Sequence, residues 1–248
     1  MKYKKFVIFL FSAIIIFITY NSLKKEEINY LALGDGLAKG ITPFETSGKS
    51  YSDYLFTYLN NKTETNKNYK AFTKEDYRIT DLINDIENIR IDKKDNITIT
   101  NVIKKADIIT ISIGSEELFY KLKQHEATLD KNNKLIIIKY IDEMFEDMHK
   151  LLSIIRNITN SHIIIIGYYN PLKDTNTTID SIYNYLDLKF KELLDDKMYY
   201  INIYNKFKYN SNYLPNKHIS YPTLEGYNYI ANEIISIIES EKLLKNKY

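Results

Sequence analysis

The sequence contains no cysteine. That excludes disulfides, thiolate metal sites, a cysteine nucleophile and a lipid-modified cysteine as a membrane anchor. Glycine is scarce, at 7 of 248 residues, and none stands between Gly48 and Gly114. The chain therefore offers no glycine-rich loop to cradle phosphates, and nothing in it calls for a nucleotide or any other cofactor. Charge of one sign is not in surplus either. The 34 basic and 32 acidic residues interleave to a net +2, which leaves no long-range field toward nucleic acid or an acidic polymer. No proline/glycine linker, internal repeat or low-complexity tract divides residues 28–248. The Asn-x-Thr triplets at Asn61, Asn96, Asn157 and Asn176 are what an asparagine-rich chain produces by chance.

What is present is ordinary globular composition, 44% hydrophobic and 27% charged, in a length that suits one α/β domain. The amino terminus differs from the rest. Lys2, Lys4 and Lys5 precede residues 6–20, which carry no charge. No small-x-small cleavage site follows, so the segment reads as an uncleaved anchor. Counted through Leu23, it is about 18 residues, or about 27 Å of helix, just enough for a bilayer core of about 30 Å. The lysines would stay inside, which places the remainder outside the cytoplasm, although Lys24 and Lys25 weaken the asymmetry. The expected division is a signal anchor over residues 1–25, with membrane contact through residues 6–23, and an ectodomain over residues 26–248.

From Ile28 onward, β-branched runs alternate with amphipathic stretches. Residues 28–33, 107–113, 162–166 and 198–203 read as strands, and the unbroken apolar runs in the second and third suit central parallel strands covered on both faces. Residues 51–59, 79–89, 141–158 and 179–194 read as helices, and a last helix begins at Thr223 as N-cap. Residues 61–67 and 130–133 read as exposed loops. Alternating strand and helix predicts a parallel sheet with helices on both faces, whose ligands bind at the carboxyl ends of the strands.

Three of those ends carry a resemblance. Tyr30-Leu31-Ala32-Leu33-Gly34-Asp35-Gly36-Leu37 resembles the opening strand and Gly-Asp-Ser-Leu turn of SGNH/GDSL hydrolases, and Gly48 to Leu55 resembles the start of that family's first helix. Ala106 to Leu118, through Gly114-Ser115-Glu116-Glu117, is similar to the strand leading into Gly-x-Asn-Asp-Leu. Tyr221-Pro222-Thr223-Leu224-Glu225-Gly226-Tyr227 is similar to His-Pro-x-x-x-Gly-Tyr, and Gly167-Tyr168-Tyr169-Asn170-Pro171 resembles a loop of Gram-positive secreted members. The resemblance implies a three-layer α/β/α sandwich, flavodoxin-like in its central parallel sheet, and esterase or lipase ancestry.

It also implies that the catalytic positions are degenerate. The family's nucleophilic serine falls on Gly36, which has nothing to attack an acyl carbon. Its histidine base falls on Tyr221, whose phenol is a poor base at neutral pH, and its orienting aspartate falls on His218. Its oxyanion-binding asparagine falls on Glu116, where a carboxylate would repel the developing charge. Its second-block glycine has no counterpart. No intact catalytic set is expected, and the cleft candidates are Asp35, Gly36, Gly114, Ser115, Glu116, His218 and Tyr221.

The leading expectation is a non-catalytic module that holds a cell-wall glycan or a partner protein at the envelope. A relocated hydrolase around His218, with Ser112, Ser115 or Ser220 as its hydroxyl, is the alternative. A cation site at Asp35, Glu116 and His218 is a third, without the spacing signature of a metal motif. The bland readings are a turn cap for Asp35, solvated loop charge for Glu116 and Glu117, and an exposed loop histidine for His218.

Overall fold

A computed structural model describes residues 27–64, 68–124, 133–171, 177–215 and 221–244. The anchor expected over residues 6–23 lies outside them, and no described helix is long and apolar enough to cross a membrane.

The core is a parallel five-stranded sheet. Its strands are β1 (Tyr30–Gly34), β2 (Asn68–Tyr69), β5 (Ile108–Ser112), β6 (His162–Ile166) and β7 (Met198–Ile201), in the order β2-β1-β5-β6-β7. Among the sheet strands this is the 2-1-3-4-5 order of doubly wound flavodoxin-like sheets, with the switch point between β1 and β5. Side chains alternate across it. Leu31, Leu33, Ile109, Ile111, Ile163 and Ile165 enter one apolar cluster, while Tyr30, Ala32, Ile108, Ile164 and Ile166 enter the other, as the period of two requires. Thr110, the polar residue in the middle of β5, shares a 2.8 Å hydrogen bond with the Tyr30 hydroxyl, so its burial is satisfied.

On the first face lie helices α3 (Ile79–Glu87), α4 (Ile99–Lys105), α5 (Ser115–Gln124), α6 (Lys134–Ile158) and α7 (Thr177–Glu192). On the second lie α1 (Gly36–Lys39), α2 (Tyr51–Lys62) and α9 (Leu224–Ser240). The three-layer sandwich and its central parallel sheet are as expected. So is Thr223, the N-cap of α9, whose hydroxyl accepts from the Gly226 amide.

Several boundaries differ. Helix α6 begins at Lys134, ahead of residue 141, because Ile137 and Tyr140 extend its buried stripe. Asn61 and Lys62 close α2 instead of opening a loop. The short elements α1, α5, α8 (Tyr204–Tyr209) and the antiparallel pair β3 (Ile91–Asp92) with β4 (Ile97–Thr98) carry too few apolar repeats to stand out as periodic.

Parallel strands give the domain two unlike ends. Gly34, Ser112 and Ile166 finish their strands at one end, and α2 and α9 begin there. Glu27, bridged to Glu64 just after α2, and the end of α9, where Glu239 accepts from Tyr58 of α2, lie at the other.

Candidate functional site

Two glycines open the carboxyl end of the sheet. Gly34 leaves β1 with φ +139° and Gly114 follows β5 with φ +116°, a region that side chains disfavour. A Cβ on Gly34 would also strike the Ser112 carbonyl, and one on Gly114 the Tyr168 hydroxyl. The chain can therefore turn tightly at both strand ends and bring Asp35 against Ser115.

Asp35 is the most constrained group there, only 5% exposed. Its amide donates to the Ser112 carbonyl at 2.9 Å. One carboxylate oxygen caps α1 by accepting from the Leu37 amide at 3.0 Å, and the other accepts from Ser115 Oγ at 3.2 Å. Burial pushes the carboxyl up to about 7. Repulsion from Glu116 adds to the rise, while the Leu37 amide and Ser115 hydroxyl oppose it. The turn-cap reading of Asp35 holds, and the capping group is a carboxyl that titrates near neutrality.

Beside it is a cavity of about 40 Å³ lined by Asp35, Ser115, Glu116, Phe119, Tyr168 and Tyr221 among others. That is room for a few water molecules. Tyr221 limits it. A Cβ on Gly36 would lie 2.5 Å from Tyr221 Cζ and nearer still to its hydroxyl, so the phenol fills the place a side chain at residue 36 would need. Burial, followed by the charges of Asp35, Glu116, Glu75 and Asp76, holds the Tyr221 phenol well above its usual range. The Glu116 carboxyl is likewise raised, by burial first and then by Asp76 and Glu75. Lys39 pairs with Glu75 at 3.6 Å across a half-exposed rim.

No family model matches the chain, and no curated protein does. Solved structures do match. The lipase Lip_vut3 from a goat rumen metagenome superposes with a TM-score of 0.68 at 18% identity, covering 85% of this chain and 96% of its own. A GDSL-like lipase from Parabacteroides merdae gives 0.61 at 16%, covering 89% and 98%. Axe2, an acetylxylan esterase from Geobacillus stearothermophilus, gives 0.56 at 15%, covering 87% and 94%.

This is the SGNH/GDSL hydrolase fold.

Within the SGNH fold the expected cleft residues divide into two groups. Asp35, Gly36, Gly114, Ser115, Glu116 and Tyr221 converge at the ends of β1 and β5. His218 and Ser220 lie outside the described residues. Ser112 lines the cavity, but its hydroxyl accepts from the Tyr51 hydroxyl at 3.3 Å. The described histidines are elsewhere: His162 opens β6 at the sheet's opposite end, and His149 lies within α6. Asp35 and Glu116 border one cavity, yet among the described residues no group of three metal-type ligands forms.

The acidic pair after Gly114 is not loop charge. Ser115, Glu116 and Glu117 form the first turn of α5. Glu117 is 4% exposed and accepts from the Thr80 hydroxyl at 3.2 Å. The loop after β2, with Glu75 and Asp76, was not anticipated as part of the site. It docks on β1 through Lys74, whose amide donates to the Gly34 carbonyl at 3.0 Å. Asp76 holds φ +55° there. Aspartate tolerates that conformation better than most residues, so no glycine marks the loop.

Proposed function

We propose that this SGNH-fold domain is a non-catalytic binding module of the cell envelope, tethered by residues 6–23 with the domain outside. The observation that carries the reading is the fit of Tyr221 over Gly36. The resemblance puts the nucleophile at residue 36 and its base at residue 221, and in this chain one position has lost its side chain while the other fills the space. Glu116 supports the same reading, since a carboxylate beside a developing oxyanion is repulsive. Purified protein is expected to hydrolyse neither p-nitrophenyl acetate nor an acetylated xylan above the blank rate. Turnover that a single cleft substitution abolishes overturns the proposal. Protease shaving of intact cells, with residues 27–244 cleaved and the amino terminus protected, is the outcome expected of the tether.

A second reading rests on Ser115. Its hydroxyl already donates to Asp35, whose carboxyl titrates near neutrality, so a relocated hydrolase would use Asp35 as the base that accepts the Ser115 proton. Ester hydrolysis lost in both Ser115→Ala and Asp35→Asn favours it over the binding module.

A further inference from the structure

Beyond the cleft, the segment from Ile41 to Ser47 is a small hairpin. Ile41 and Ser47 bridge antiparallel. The Thr42 amide donates to the Thr46 carbonyl at 2.9 Å, and the Glu45 amide to the Thr42 carbonyl at 3.1 Å. The Thr42 and Thr46 hydroxyls share a 2.8 Å hydrogen bond, and Glu45 turns the tip at φ +55°. Its base is tied to α9, because the Tyr227 hydroxyl donates to the Ile41 carbonyl at 2.6 Å. The hairpin so formed carries Phe44 76% exposed.

Between the hairpin and the first turn of α9 is an open groove of about 500 Å³, within the roughly 300–1,000 Å³ usual for small-molecule sites. Phe44 forms one apolar wall and Leu224, 48% exposed, another. Ser47, Asn212 and Glu225 supply a hydroxyl, an amide and a carboxylate around them.

We propose that this groove binds a neutral sugar ring, laid against Phe44, as part of an envelope oligosaccharide. A pyranose has an apolar C–H face and a polar edge, and the groove lining offers both kinds of partner: the Phe44 ring for the face, and hydrogen-bonding residues for the edge hydroxyls. An acyl chain would have to desolvate those polar groups without partners. A phosphate or anionic headgroup would meet the Glu225 carboxylate in the groove lining. Volume separates this groove from the cavity at Asp35. The cavity at Asp35, at about 40 Å³, does not admit a sugar ring, and the groove does.

The inference takes from the binding-module reading only the setting in which a sugar would be met. Hydrolysis assays leave it untouched, and loss of sugar binding leaves the catalytic question where it stood, so each can fail alone. Because the chain has no tryptophan, Phe44→Trp places a unique fluorophore at the hairpin tip. The probes are tetrasaccharides of N-acetylglucosamine and of xylose, titrated into the full chain. The expected result is a saturable emission shift in Phe44→Trp with one of them. Calorimetry is expected to show binding by the wild type that weakens about tenfold or more in Phe44→Ala and is unchanged in Leu135→Ala, an exposed apolar residue outside the groove. Circular dichroism of Phe44→Ala should match the wild type, since the side chain is exposed. Undetectable binding of both sugars by the wild type at millimolar concentration overturns the proposal. So does equal binding by Phe44→Ala, or Phe44-dependent binding to neutral lipid vesicles in place of sugar.

Discussion

The Tyr221 hydroxyl and the adjoining ring atoms occupy the place that a β-carbon on Gly36 would take. Gly36 is the first residue of α1 and needs no left-handed backbone, so its side chain is excluded by space alone. Gly36→Ser is expected to destabilise the domain by about 1–3 kcal/mol, as overpacking does. Tyr221→Ala made together with it should recover most of that loss. A double-mutant cycle by urea denaturation checks this. Additive effects would mean the ring moves aside freely.

Asp35 makes stability depend on pH in an unusual direction for a carboxyl. Its folded-state pKa of about 7 stands above the ordinary aspartate value of 3.8, so between those values the folded chain holds a proton that the unfolded chain has released. Stability from this group is full below about pH 4 and declines as pH rises to about 7, by up to about 1.4 kcal/mol per unit. Asp35→Asn keeps an acceptor for the Leu37 amide and should flatten that slope. Denaturation midpoints from pH 4 to 8 test it, and an unchanged slope in the variant counts against the assignment.

Gly114 combines two constraints that separate experimentally. Gly114→Ala puts a side chain at φ +116° and against the Tyr168 hydroxyl, at an expected loss of about 2–4 kcal/mol. Adding Tyr168→Phe should restore only part of it, because removing the hydroxyl relieves the collision and leaves the backbone strain. Full recovery would show that space alone was limiting.

The Tyr227 hydroxyl anchors the Phe44 hairpin to α9. Tyr227→Phe leaves the buried Ile41 carbonyl without this donor, for an expected loss of about 1–3 kcal/mol. Amide exchange across residues 41–47 should accelerate in the same variant. Unchanged exchange would mean the hairpin stands without the tether.

How much of this was legible depended on the kind of signal. Strands β5 and β6 are near-continuous isoleucine runs, which in a chain of this length have few homes other than the middle of a parallel sheet. The long helices declared themselves through apolar stripes, and α9 through its threonine cap. Strand β2, two residues long, and helix α1, four residues long, are held by their neighbours and have no period to read. The cleft was legible at its turns, where Gly34 and Gly114 stand, and illegible in its filling. No local pattern says that the ring of Tyr221 rests on Gly36, because the two meet only when α9 packs against α2 on the second face of the sheet. Asp76 escaped notice for a different reason: it adopts at φ +55° a conformation for which sequence reading looks to glycine.

The arrangement of the two ends of the sheet has a bearing on how the domain can be carried. Glu27, bridged to Glu64, and the end of α9, tied to α2 through Tyr58 and Glu239, stand at the pole away from Asp35, Phe44 and the groove. A surface that holds the chain by its amino end would thus leave both hollows pointing outward, with the full depth of the sheet between them and the support.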